Sequence, residues 1–338
     1  MAGLSFPSAV VAVALLAAGT GPSLAWGSKG HRIIGEVAAR NFPTRIPGFL
    51  RTPQAAAQIG ELAREPDRSR GAGQPHDDDS DPGHFVDVSD DGSVLGGPKL
   101  AALPRSRQDY DTALRAVGVT EFKAGWLPYS IADGWQQLVK DFALWRADVA
   151  GAKFARRKAD KAWLLRDRRL REALTLRDLG VWAHYVGDAS QPLHASVHYN
   201  GWGDFPNPEG FSGAPGFHAR FETRFVDAHI AEADIAARLR PYRDCACDVM
   251  AHVALYLADT QSNVLTAYRL DKASTFDGGS PDAKAFVTAR LAEGAAQLRD
   301  LVTDAWSASG TASMGYDPVI PLAEIEAGKA DPLPLLRD

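Results

Sequence analysis

Period-two alternation, the mark of a half-buried strand, is nearly absent from this 338-residue chain, and residues 85–88 are one short candidate. What recurs is the 3.6-residue helical period. It marks residues 160–185 through Leu164, Leu165, Leu170, Leu174, Leu179 and Val181. It also marks a preceding run with Trp135, Leu138, Val139, Phe142 and Trp145, which Asp133 is placed to cap. Residues 31–40 carry Ile33, Ile34, Val37 and Ala38 at the same period and stop before Pro43, and residues 55–64 end near Pro66. Helices resume at about 218–237, 242–268 and 281–307. A mostly helical, all-α fold with long loops is therefore expected.

Two stretches interrupt the helices. Residues 65–88 are rich in Asp, Gly and Pro, too polar to pack, and predict a loop of a length that often carries function. Residues 201–216 hold five glycines and three prolines and predict a surface loop. Neither is a linker, so one compact domain is expected over residues 26–310. With 45% hydrophobic residues it can bury roughly three quarters of its unfolded surface. Residues 311–338, with Pro318, Pro321, Pro332 and Pro334, form a separate C-terminal tail.

Residues 1–25 carry no charged side chain, hold an apolar run over residues 9–18 and end in Ser23-Leu24-Ala25. They predict a secretory signal peptide cleaved after Ala25, which would export a monomer to the periplasm or the medium. The apolar run is shorter than the roughly 20 residues a membrane span requires, so no stable anchor is expected. Cys245 and Cys247 stand two apart, where side chains on a helix diverge, and no disulfide between them is predicted. The net charge of −5 speaks against a duplex-binding protein. Locally, residues 153–177 hold ten Lys/Arg against three Asp/Glu, either a solvated helix face or a polyanion-facing surface.

His184 and Asp188 are one helical turn apart, and His218 and Glu222 repeat the spacing. His194 follows Pro192, which ends the helix and bends the chain back. Five potential ligands within 39 residues exceed what one structural zinc requires. His76, His198, His229 and His252 lack such partners and are expected to be ordinary surface or hydrogen-bonded core residues.

The run His184-Tyr185-Val186-Gly187-Asp188 with Gln191-Pro192-Leu193-His194 resembles the signature of the zinc-dependent phospholipase C and S-one/P-one type nuclease superfamily. Trp26-Gly27-Ser28-Lys29-Gly30-His31 is similar to the mature N-terminus of its nuclease branch. The resemblance implies three zinc ions per chain. One would take the free amine and carbonyl of Trp26 with His31, bridged through Asp188 to a second that also takes Asp67, His84 and His184. The third would take His194, His218 and Glu222. Asp67, in Glu65-Pro66-Asp67-Arg68-Ser69-Arg70, would also orient or deprotonate the attacking water; Asp77, Asp78, Asp79 and Asp81 are rivals for its place. In His84-Phe85-Val86-Asp87 the aromatic would stack on a base and Asp87 would read its edge, although Phe85 suits the core equally well.

Zinc suits such chemistry as a redox-silent Lewis acid that brings the pKa of bound water to about 7. The first expectation is an exported trinuclear-zinc nuclease cutting single-stranded DNA and RNA to 5'-nucleotides, with room for nucleotidase activity on 3'-phosphates. Stacking can substitute for a basic field on an acidic protein. Glutamate at 222, rather than aspartate, leans toward the phospholipase branch, so a phospholipase C acting on phospholipid headgroups is the alternative. Trp202, Phe205, Phe211 and Phe217 could meet either a base or an acyl chain. A non-catalytic zinc-binding protein is the third reading, and it requires closed four-ligand sites.

Overall fold

Proline and hydroxyl caps open several of the helices in the computed structural model, which describes residues 26–246 and 248–337. α1 spans Ser28–Arg40. α2, Pro53–Leu62, starts on Thr52, whose side chain accepts from the Ala55 amide, with proline in the first turn. Two short helices follow, α3 Glu65–Ser69 and α4 His76–Ser80, and a 3-10 turn over Asp81–His84. Ser106 and Thr120 cap α5, Arg107–Arg115, and α6, Glu121–Ala124. The two longest elements of this half are α7, Leu127–Phe154, and α8, Lys158–Asp188.

Beyond the glycine-rich loop, α9, Phe217–Ala219, runs through a π-helical turn, Arg220–Arg224, into α10, Phe225–His229. α11 Glu232–Ala236, α12 Val249–Gln261, α13 Val264–Lys272 and α14 Pro281–Ser309 complete the main body. β1 Ser313–Met314 pairs antiparallel with β2 Ile320–Pro321, followed by α15 Leu322–Glu326 and α16 Leu333–Arg337.

α7 and α8 pack along each other, α1 packs on α2, α8 and α14, and α14 also lies on α7. α1 and α2 meet at two glycines: a Cβ on Gly35 would sit 2.9 Å from the Gly60 Cα, so only hydrogen fits. One contiguous apolar core runs from Trp26 to Ala305, with Phe142, Leu179, Trp182, Phe221 and Tyr256 among its buried members, and makes the main body a single domain. The C-terminal residues pack too. Met314, Leu322 and Ile325 bury against Ala143, Ala147 and Ala150 of α7, and Leu333 against Ala152 and Leu164.

Several local expectations are corrected. α7 starts at Leu127 rather than at Asp133, because Pro128 suits a first turn and Trp126 is buried ahead of it. Residues 65–88 are not an irregular loop; short helical turns bury Pro82, Gly83 and His84. Residues 85–88 form no strand: Val88 makes one isolated bridge with Val94, while the Val86 amide donates to the His194 carbonyl and the Asp87 amide to that of Ala124. The expected helix over 218–237 breaks at Ile230, and α12 begins only at Val249. Cys245 is disulfide-bonded, against expectation, and Cys247 is the chain's other cysteine. The helical divergence argument does not apply there, since the segment is not helical and Ala246 sits at φ +53°. No described helix is long and apolar enough to cross a membrane. The expected signal peptide, residues 1–25, lies outside the described residues.

Candidate metal centre

The last turn of α8 carries His184 and Asp188, both fully buried, with Nε2 of the first 3.3 Å from Oδ2 of the second. α1 brings His31 onto this turn. Its ring stacks on His184 at 3.9 Å between centroids, and its Nε2 lies 3.4 Å from Asp188 Oδ1. Gly187 permits the approach, because a Cβ there would stand 3.1 Å from His31 Nδ1. His84, at the end of its 3-10 turn, places Nδ1 2.8 Å from His184 Nε2 and 3.1 Å from Asp188 Oδ2. Asp67, on α3, places Oδ1 3.8 Å from His184 Nε2. The two oxygens of Asp188 therefore face different neighbours, Oδ1 toward His31 and Oδ2 toward His84 and His184.

A second cluster lies just beyond α8. The chain turns at Gln191 and Pro192 and buries His194, whose Nε2 is 3.1 Å from His218 Nε2 and 3.6 Å from Glu222 Oε2. His218 Nε2 is 2.6 Å from the same Glu222 oxygen, and Glu222 sits on the π-helical turn, a distortion frequent at functional sites.

Ring tautomers decide what these groups can hold. His184, His194 and His218 each point Nδ1 at a backbone carbonyl, of Ala63, His84 and Tyr199 respectively, at 2.8, 2.6 and 2.8 Å. A carbonyl only accepts, so each Nδ1 carries hydrogen and each neutral ring turns its Nε2 lone pair inward. The inward nitrogens of His194 and His218 lie 3.1 Å apart, with the Gln191 amide 3.3 Å from that of His218, and a cation between the two rings would relieve the repulsion of their lone pairs. Protonating the rings is not the remedy, since burial pushes His184 down to about 3, His218 to about 4 and His31, His84 and His194 downward as well.

The carboxyls give the complementary signal. Burial raises Asp67 and Glu222 to about 7 and Asp188 well above its ordinary range, so an added positive charge is what would keep them ionised. Both ring nitrogens of His31, His84 Nε2, Asp67 Oδ1, Asp188 Oδ1 and Glu222 Oε1 are buried without a hydrogen-bond partner. Three groups have the spacing to hold an ion: His31, His184 and Asp188; Asp67, His84 and His184; and His194, His218 and Glu222; His184 belongs to the first two through a single inward nitrogen and can serve only one of them at a time. Their neutral imidazoles and carboxylates match the donor preference of zinc, and the carbonyls behind the rings are the usual outer support of such ligands.

Eight of the nine residues expected to hold metal thus converge on two adjoining clusters. Trp26, the ninth, is fully buried, with its indole donating to Ser190 Oγ at 2.7 Å and its ring 5.4 Å from that of Phe221. Of the acidic rivals to Asp67, Asp77 accepts from the Gly71 and Gly73 amides, and Asp81 faces Arg70. His198 bonds the Trp202 carbonyl and Asp90, and His252 bonds Gln297, as ordinary histidines do.

Two residues beside the clusters escaped the sequence reading. Arg70 lies 3.5 Å from both Asp67 and Asp81, and its charge reaches most of the buried histidines. Its signal was the i,i+3 spacing from Asp67. Gln191 donates to Glu222 Oε2 at 3.1 Å and accepts from the Leu193 amide at 2.6 Å. Phe85 is extended, at φ −145° and ψ 169°, and the chain turns tightly at Asp87, where the Val88 amide donates to the Val86 carbonyl at 3.0 Å. Asp87 is pushed up to about 7 by burial and lines a cavity of about 420 Å³ with Lys123, Tyr199, Asn200 and Phe205. Trp202, Phe211 and Phe217 are instead buried against Tyr268, and Phe205 alone of that expected set is exposed.

No protein-family model and no curated protein matches the sequence. Among solved structures the chain is similar to the alpha-toxin of Clostridium perfringens from an avian strain, with 15% identity and a TM-score of 0.37 over 86% of this chain and 68% of that one. A likeness at that level leaves the site's own geometry to carry the functional reading.

Proposed function

We propose that this chain is a zinc-dependent hydrolase of phosphate esters, with phosphodiesters as its substrates and three ions per chain. The observation that carries the proposal is the pair of adjoining clusters in which inward-turned imidazole lone pairs meet buried carboxyls. Zinc held there supplies Lewis acidity and brings the pKa of bound water to about 7. Asp188, facing both ways, spans the first two groups. Trp26 completes the His31 group through its backbone once the chain begins at that residue, and export through residues 1–25 belongs to the same proposal.

The remaining roles fall to polar residues beside the clusters. Asp67 is the least buried carboxyl of the centre and lies next to Arg70, which suits it to orient the attacking water and accept its proton. The Arg70 guanidinium, 3.5 Å from Asp67, sets a fixed positive charge beside the centre, where negative charge builds on a phosphate. Gln191 holds Glu222 in place for the third ion.

Two substrate classes are each favoured by a feature at or next to Asp87. Phe85 and Asp87, two residues apart in one segment, suit a base that stacks and is read at its edge, and thus single-stranded nucleic acid or nucleotides. Asp87, which an entering cation would ionise, lines one cavity with Tyr199 and Phe205 and suits a trimethylammonium group, and thus a phosphatidylcholine headgroup, which agrees with glutamate at 222. Zinc-loaded mature protein assayed side by side on single-stranded DNA, RNA, 3'-nucleotides and phosphatidylcholine separates them. Release of 5'-phosphorylated products supports the nuclease, and headgroup release alone supports the phospholipase. Turnover of none of these by fully loaded protein contradicts the proposal.

A further inference from the structure

α8 ends in the candidate metal centre, but its first two thirds present a different chemistry to solvent. The exposed residues there are cations, Lys158, Lys161, Arg166, Arg169 and Arg177, together with small or apolar side chains, among them Leu170 and Leu174. No acid of α8 is exposed. Asp160 pairs with Arg157 and Arg337, Asp167 with Arg171, Glu172 with Arg168, and Asp178 with Arg177. Lys158, Lys161, Arg166 and Arg169 make no ion pair among the described residues, nor do the exposed Lys153 and Arg156 of the turn before α8. On a chain of net charge −5 this is a segregated positive face, about 30 Å long.

Leu170 is 63% exposed and Leu174 44%, one turn apart amid these cations, and Phe154, the last residue of α7, is 44% exposed just before α8 begins. Apolar side chains set level with cations on a convex helix fit the boundary between lipid headgroups and acyl chains, where Lys and Arg stems lie along apolar surface and their heads reach phosphate. Single-stranded nucleic acid asks for a groove and for rings on which bases stack. α8 exposes no such ring, since Trp163 is half-buried beneath the Arg337 guanidinium. Beside the turn, a cavity of about 700 Å³ is lined by Phe154, Leu333 and three cations, Arg156, Arg157 and Lys329, against two acids, Asp160 and Asp331.

We infer that the outer face of α8 and the turn before it dock the protein on an anionic phospholipid bilayer. The inference is independent of what the metal centre hydrolyses. It is tested by co-sedimenting the zinc-loaded mature protein with vesicles of phosphatidylcholine alone, or with one third phosphatidylserine. Binding is expected to be far stronger to the anionic vesicles, whether or not the metal centre engages phosphatidylcholine, and the excess to fall steeply with added salt, because each Lys or Arg near the surface adds attraction that salt screens. The triple variant K161E/R166E/R169E should weaken that binding at least about tenfold with an unchanged unfolding midpoint. L170S/L174S should weaken it several-fold while keeping its salt dependence. Equal binding to neutral and anionic vesicles, or undiminished binding by a folded triple variant, would overturn the inference. So would binding of single-stranded oligonucleotides, but not vesicles, that the triple variant loses.

Discussion

His31, Asp67, His84, His184 and Asp188 are gathered from 158 residues of sequence and four separate segments, whereas His194, His218 and Glu222 come from a single stretch of 29. The first cluster exists only because α1 packs on α8 through Gly187 and because short helical turns carry Asp67 and His84 over the same helix end. The second needs little more than a turn at Pro192, a loop and one π-helical turn. The long-range cluster is thus hostage to helix packing, and the local one to a few backbone hydrogen bonds. Asp188 offers two oxygens in two directions, whereas His184, which neighbours both of the first two groups, offers one nitrogen.

The comparison can be broken most sharply at Asp188. Asp188→Asn should lower turnover by at least about 100-fold, because even changes in the outer support of a metal site cost roughly 10–100-fold; a loss of only a few-fold would remove its special place. Glu222→Gln is expected to cost roughly 10–100-fold and to leave the long-range cluster loaded, which metal analysis reads as one ion lost. Retaining one extra residue before Trp26 should remove one ion from the long-range cluster only; full metal content in that protein would refute ligation by the terminal amine.

Smaller effects test the packing. Gly187→Ala puts a methyl against His31 Nδ1, so it should weaken metal retention in the long-range cluster several-fold and spare the local one. Asp148 belongs to neither cluster. It is buried in the α7–α8 seam, and burial, then the neighbouring Asp167 carboxylate, pushes it up to about 8. Between about 4 and 8 the folded chain holds a proton there that the unfolded chain has released, so stability falls as pH rises through that window. Asp148→Asn should flatten this part of the unfolding midpoint against pH. An unchanged slope would assign it elsewhere.

How far the sequence could be read follows the same division. The i,i+4 pairs His184–Asp188 and His218–Glu222 were visible as spacing, and Pro192 announced the bend that brings His194 back. His31, Asp67 and His84 carry no local signal and were reached only through a family resemblance. Arg70 was missed because its role comes from folding α3 over α8. Helix existence was legible from periodicity, but α7 was started at Asp133 instead of Leu127, since buried residues on several sides blur an amphipathic edge. Residues 65–88 read as loop because their acids are polar in sequence, and what buries Pro82 and His84 comes from elsewhere in the chain. The C-terminal residues gave no hint that Met314, Leu322 and Ile325 would bury against alanines of α7.

Counting metal ions per chain in the mature protein, in Asp188→Asn and in His184→Ala tests the central claim most directly. Three ions are expected in the parent protein and one in Asp188→Asn, with the survivor on His194, His218 and Glu222. His184→Ala should keep two. Equal losses from the two variants, or a single ion in the parent protein, would contradict a carboxylate shared between two of three metals.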